Sequence, residues 1–83
     1  MNFKAEIDVM PLPALLDPQG KAVSNNMKNI GLEEITNVRI GKHITLHIDA
    51  KDESEAKSKV NEACKKLLAN EIMEGFSFEV SPA

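Results

Sequence analysis

Val38-Arg39-Ile40-Gly41-Lys42-His43-Ile44-Thr45-Leu46 is the stretch on which the fold turns, because two runs of alternating apolar residues meet there at a glycine. Val38 and Ile40 share one face of an extended chain, and Ile44, Leu46 and Ile48 share one face of the next run. If Gly41 and Lys42 alone formed the turn, Ile40 would oppose His43 and the two apolar rows would lie on opposite sides of the sheet. Pairing Ile40 with Ile44 and Val38 with Leu46 places all of them inward, which requires a three-residue connection or a bulge at Gly41. The stretch therefore predicts a hairpin of strands at 34–41 and 43–50. Asn37 and Arg39 then share the other face with Thr45, His47 and Asp49.

Upstream of the hairpin, Phe3, Ala5, Ile7 and Val9 alternate with Lys4, Glu6 and Asp8, predicting a half-buried strand over 2–10. Pro11 and Pro13 break both ladder and helix, so Met10 to Leu16 reads as a loop that ends in the apolar pair Leu15-Leu16. Asp17 followed by Pro18 is a helix start: a side-chain acceptor for backbone N–H groups, then a residue whose missing N–H costs nothing. Val23, Met27 and Ile30 form one apolar stripe and Gly31 suits a left-handed end, giving a helix over 18–30 that needs the sheet to hold it. Gly20 in its first turn leaves bare backbone for another surface to approach.

Downstream, Asp52 and Glu55 resemble a capping box, and Ala56, Val60, Ala63, Cys64, Leu67 and Leu68 make a continuous apolar stripe, predicting a helix over 53–69 ended by Asn70 in a left-handed turn. Glu53–Lys57, Glu55–Lys59 and Glu62–Lys66 mark its wet face. Phe76, Phe78 and Val80 then alternate inward in a strand over 72–80, leaving Ser81, Pro82 and Ala83 as a tail. The order is strand, helix, strand, strand, helix, strand. It describes a single domain over 1–83 with a ferredoxin-like β-α-β-β-α-β two-layer sandwich: a four-stranded antiparallel sheet with two helices on one face.

Such a fold hosts many activities, so each candidate function has to be tested on its own residues. With 83 residues the core is thin and a partner chain is expected. The net charge of −3, the absence of Trp and Tyr and the three Phe leave no basic stripe or stacking platform for nucleic acid. One cysteine, Cys64, allows no internal disulfide and no paired thiolates for a metal, and reads as a small core residue. His43 and His47 lie on one strand face, a placement that suits a shared metal but more simply a polar sheet surface. No nucleophile motif, phosphate loop or membrane-spanning run is present, and the opening residues do not resemble a signal segment, so a cytoplasmic subunit without catalytic or metal-binding residues is expected.

Four blocks carry a family resemblance: Val9 through Lys21 with its Leu-Leu-Asp-Pro-Gln-Gly run, Val38 to Ile44, Cys64 with Leu67-Leu68-Ala69-Asn70, and Ile72-Met73-Glu74. In this order they resemble the PurS family, the small subunits of phosphoribosylformylglycinamidine synthase, over Phe3 to Val80. The resemblance implies a homo-oligomer, dimer or tetramer, that joins a glutaminase subunit to an ATP- and magnesium-using synthetase subunit. Ammonia released from glutamine would there convert formylglycinamide ribonucleotide to the amidine, with no cofactor held by this chain. It also singles out Asp17, Gln19, Gly20, Arg39, Gly41, Lys42, Asn70 and Glu74 as subunit-contact candidates, with Arg39 and Lys42 as charged rim contacts. Two departures from the family pattern stand out, Leu12-Pro13-Ala14 before the Leu-Asp-Pro block and Glu71 after Asn70. The rival reading is a small-ligand regulatory module that senses an amino acid in a pocket between the first loop and first helix.

Overall fold

In the computed structural model, residues 1–13 and 17–83 are described; Ala14 and the Leu15-Leu16 pair lie outside them. The alternation of apolar and charged residues at the start of the chain forms strand β1, Asn2–Pro11, with Phe3, Ala5, Ile7 and Val9 buried on one face. It is the central strand of a three-stranded antiparallel sheet. Strand β2, Lys42–Asp49, lies on one side and β3, Glu74–Pro82, on the other. Ile7 faces Ile44 and Phe78, and Ala5 faces Leu46 and Val80, so three apolar rows meet on the inner face. Helix α2, Glu53–Ala63, packs on β1 and β3 from that side. Ala56, Val60 and Cys64 complete a core with the β1 residues, and the rings of Phe76 and Phe78 stack beside it with centroids 6.3 Å apart.

The outer face is polar. His43 Nδ1 pairs with Asp8 Oδ1 at 2.7 Å, and Glu6 and Glu79 stand directly opposite each other. His43 and His47 do not join in a metal cluster; among the described residues no group of three or more His, Cys, Asp and Glu side chains is placed to hold an ion.

The four-stranded sheet expected from the sequence is corrected to three strands. Residues 34–41 do not form a strand, and Gly41-Lys42 is not a turn. The chain instead runs on from this segment into β2, whose first residue, Lys42, already pairs with Val9. Two local features explain it. Asn37 takes the left-handed conformation, φ 57°, which breaks an extended run, and the backbone N–H of Ile40 is held by Asp17 rather than by a neighbouring strand. Asn37 and Arg39 therefore do not share an outer sheet face with Thr45, His47 and Asp49.

Helix α1, Pro18–Asn26, is also differently placed from the expected two-layer arrangement. It is continued by a 3₁₀ turn, Met27–Ile30, and closed by Gly31 at φ 77°. It packs chiefly on that turn rather than on the sheet, its one buried residue being Gly20, and Val23 and Ile30 of the predicted stripe are exposed. Residues 18–41 thus form an arm at one end of the sheet. The molecule measures 51 × 26 × 14 Å, with a radius of gyration of 16.4 Å, against about 12 Å for a compact domain of this length.

Helix α2 ends earlier than the predicted 53–69, passing at Cys64–Leu68 into a wide turn in which the N–H of Ala69 donates to the carbonyl of Cys64. The extra residue in that turn rotates its neighbours off the α-helical stripe. Leu67, expected in the core, is 83% exposed for this reason. Asn70 takes no left-handed conformation, and residues 71–73 form a turn, so β3 starts at Glu74 rather than 72 and runs through Ser81 and Pro82. No helix is long and apolar enough to cross a membrane among the described residues.

Candidate functional site: the arm base and the helix–strand corner

The end of the sheet where β1 finishes and β2 and β3 begin gathers most of the polar residues marked in the sequence. Asp17 is its hub. As the residue capping α1 it accepts a hydrogen bond from Gly20 N–H at 3.0 Å through Oδ1, and Oδ2 accepts from Ile40 N–H at 2.9 Å. Arg39 Nε lies 3.7 Å from the same oxygen. Hydrogen bonding to the Gly20 and Ile40 backbone groups, helped by the Arg39 charge, lowers the carboxyl pKa from its ordinary value, outweighing desolvation. One carboxylate therefore ties the start of the arm to its end.

Arg39, its side chain 32% exposed, is bonded within the chain. Its guanidinium donates to the carbonyl of Leu12 at 2.9 Å and, more weakly, to those of Pro11 and Pro13 at 3.4 and 3.5 Å. Pro11 is the last residue of β1, opposite Glu74, and the planar fork of Arg39 gathers carbonyl groups where the chain leaves the sheet. Gly20 and Gly41 serve the same junction by their lack of a side chain. A Cβ on Gly20 would collide with the Val38 carbonyl oxygen and stand 2.5 Å from Asp17 Oδ2, and one on Gly41 would collide with the Val9 carbonyl and the Met10 sulfur. Both glycines mark close backbone approaches, Gly41 in place of the expected hairpin connection.

Asn70 and Glu74 form a second small unit beside it. Glu74 Oε1 accepts from Asn70 N–H at 2.8 Å, Asn70 Oδ1 accepts from Ile72 N–H at 3.1 Å, and the Asn70 carbonyl receives the N–H groups of Met73 and Glu74. These bonds close the turn between α2 and β3 and push Ile72 and Met73 outward, 84% and 54% exposed. Leu67, in the wide turn that ends α2, is exposed as well, so the α2–β3 corner presents three large apolar side chains at its surface. Leu12 N–H donates to the Met73 carbonyl and joins this corner to the end of β1.

Between the two units lies an open concavity of about 390 Å³, lined in part by Asp17, Gln19, Ile40, Asn70, Met73 and Glu74. Four of the eight marked residues thus face one hollow, Gly20, Arg39 and Gly41 build its frame, and Lys42 stands exposed at the start of β2. Leu67, Ile72 and Met73 stand in the family blocks but are not among the marked contact residues. Leu67 lies on the helical stripe and so reads as core, and Ile72 reads as the start of a strand.

Among the described residues that line the hollow there is no nucleophile with an activating base and no Lys, Arg or His. What the site offers is a rigid polar rim beside an apolar corner, suited to contact with another protein.

The family model described as "PurS: Phosphoribosylformylglycinamidine (FGAM) synthase" matches residues 4–82. The phosphoribosylformylglycinamidine synthase subunit PurS of Bacillus subtilis is 37% identical over 78 residues, covering 94% of this chain and 92% of that protein. The same subunit from Synechocystis is 36% identical over 80 residues, covering 96% and 80%. Among solved structures, B. subtilis PurS superposes with a TM-score of 0.83 at 35% identity, covering 95% of this chain and 98% of that one. A chain in the structure of PurLQS from Thermotoga maritima superposes with a TM-score of 0.88 at 27% identity, covering 98% and 99%. A match over nearly every residue, in sequence and in fold, places this chain in the PurS family of phosphoribosylformylglycinamidine synthase.

Proposed function

We propose that the chain is a non-catalytic subunit of phosphoribosylformylglycinamidine synthase, the purine-biosynthetic ligase that converts formylglycinamide ribonucleotide to its amidine using ATP and glutamine. The observation that carries this reading is the full-length likeness to a chain of the T. maritima PurLQS assembly. The site agrees with it, since a polar rim beside the exposed Leu67, Ile72 and Met73 supplies contact chemistry.

In this role the chain acts in the cytoplasm as a homo-oligomer that joins the glutaminase and synthetase subunits. ATP and magnesium are used by the synthetase, not here. Asp17, Gln19, Gly20, Arg39, Gly41, Lys42, Asn70 and Glu74 shape and line the contact surface, Arg39 by bracing the loop after β1. Holding two active sites in register keeps released ammonia from bulk water, where it is protonated and lost to the second reaction.

Co-purification tests this. The tagged chain is expected to bring down a synthetase and a glutaminase from its own cell extract, more completely when glutamine and ADP are present. Recovery of neither under any of these conditions contradicts the proposal.

A further inference from the structure

The two carboxylates that line the hollow at the arm base differ in what answers their charge. Asp17 accepts from the Gly20 and Ile40 N–H groups and has the Arg39 guanidinium 3.7 Å away. Glu74 accepts from Asn70 N–H at 2.8 Å, and among the described residues it forms no ion pair. It is half-buried all the same, and a carboxylate has room for several donors. Glu71, exposed in the same turn, adds to the negative charge there.

Around this charge the hollow is apolar on its other sides. Pro11, Pro18, Ile40 and Met73 give it walls without charge, and Gln19, exposed in the first turn of α1, offers an amide at the rim. A fixed carboxylate set among apolar walls matches the side chain of Lys or Arg, whose methylene stem lies along apolar surface and whose head carries the cation. Met73 lines the hollow and is also 54% exposed, and Ile72 next to it is 84% exposed, so apolar surface reaches the mouth.

We infer that the hollow is a socket for a Lys or Arg side chain of a partner subunit, carried on a segment whose apolar residues cover Ile72 and Met73. The inference rests on the bridging role proposed above and names the chemistry of that contact. The basic head meets Glu74, and its stem lies on the apolar walls. Bonds within the chain already hold Glu74 and Asn70 in their turn and Asp17 at the arm base. The socket is therefore formed before the partner arrives, and little order has to be created on binding. The chain's net charge of −3 favours the approach of a basic segment as well.

Surface plasmon resonance tests this, with the tagged chain immobilised and the purified synthetase and glutaminase subunits passed over it in glutamine and ADP. Three variants are compared with the unaltered chain: Glu74→Gln, Gln19→Lys and Glu79→Gln. Glu74→Gln keeps an oxygen for Asn70 N–H while removing the charge, and Gln19→Lys sets a competing cation at the rim. Glu79→Gln removes the same charge from an exposed position on β3 that does not line the hollow. The first two are expected to raise Kd by about tenfold or more, with a larger loss at about 50 mM than at about 300 mM salt, and the third by no more than about twofold. A Kd for Glu74→Gln within about twofold of the unaltered chain, or an equal loss for Glu79→Gln, overturns the socket. Where a urea melt shows that Glu74→Gln loosens the fold, Gln19→Lys decides alone: a tenfold loss supports the socket and an unchanged Kd overturns it. Binding of the unaltered chain to neither subunit contradicts the bridging role itself, whereas binding that both hollow variants leave intact removes only the socket.

Discussion

Asp17 shows how one side chain serves several levels at once. Its sequence position, before a proline and three residues ahead of Gly20, marks it as a helix cap, and it is one. Its second oxygen, which holds Ile40 across the base of the arm, has no local signal, because the partner is 23 residues away. The same holds for Arg39: its charge is visible in the sequence, but the carbonyl groups it gathers become available only once Pro11 and Pro13 have ended the ladder. Two outcomes are expected at this scale. Gly20→Ala forces a methyl group into the Val38 carbonyl and is expected to lower unfolding stability by about 1–3 kcal/mol, read in urea, with loosening of the arm read by amide exchange at Ile40. The Asp17 carboxyl is held below its ordinary 3.8, so its contribution to stability is complete above that value and is lost as pH falls through the lower folded-state value. Thermal melts between about pH 5 and pH 2 are expected to fall less steeply for Asp17→Asn than for the unaltered chain. Glu62, lowered by its bond to Lys66, adds to the same acid loss and is removed in parallel as Glu62→Gln.

At the scale of elements, legibility depends on the source of order. Strand β1 carries its own period and the start of α2 its own cap, and both form where the pattern puts them, as do the three ion pairs on the wet face of α2, although the helix gives way at Cys64. Helix α1 is visible from its Asp-Pro start, but its packing is not, since a stripe of Val23, Met27 and Ile30 says that something is covered and not by which chain. The segment 34–41 fails as a strand for the related reason that a strand exists only with a partner, and alternation alone does not say that the partner lies in the same chain. The wide turn at Cys64–Leu68 has no sequence signature, and it moves Leu67 from the core to the surface. Leu67→Ser and Ile72→Ser are therefore expected to change stability by no more than about 0.5 kcal/mol in a denaturant melt. Both are expected to weaken recovery of the partner subunits in the co-purification; a large loss of stability would return these residues to the core.

The whole molecule is an elongated body with a small core and apolar surface on the arm, at Ile30, Leu32 and Ile35, and beside the arm base, at Leu67, Ile72 and Met73. For a chain of 83 residues this is an unfinished fold in isolation, completed by neighbours. Its exposed apolar surface fits the proposed role, in which the chain works by binding other subunits. Glutamine-dependent synthesis of the amidine by the purified synthetase and glutaminase subunits, assayed with and without this chain, tests that claim most directly. The rate is expected to collapse when the chain is left out and to return when it is added, while the chain alone turns over nothing. An unchanged rate in its absence, or turnover by the chain alone, would contradict the account.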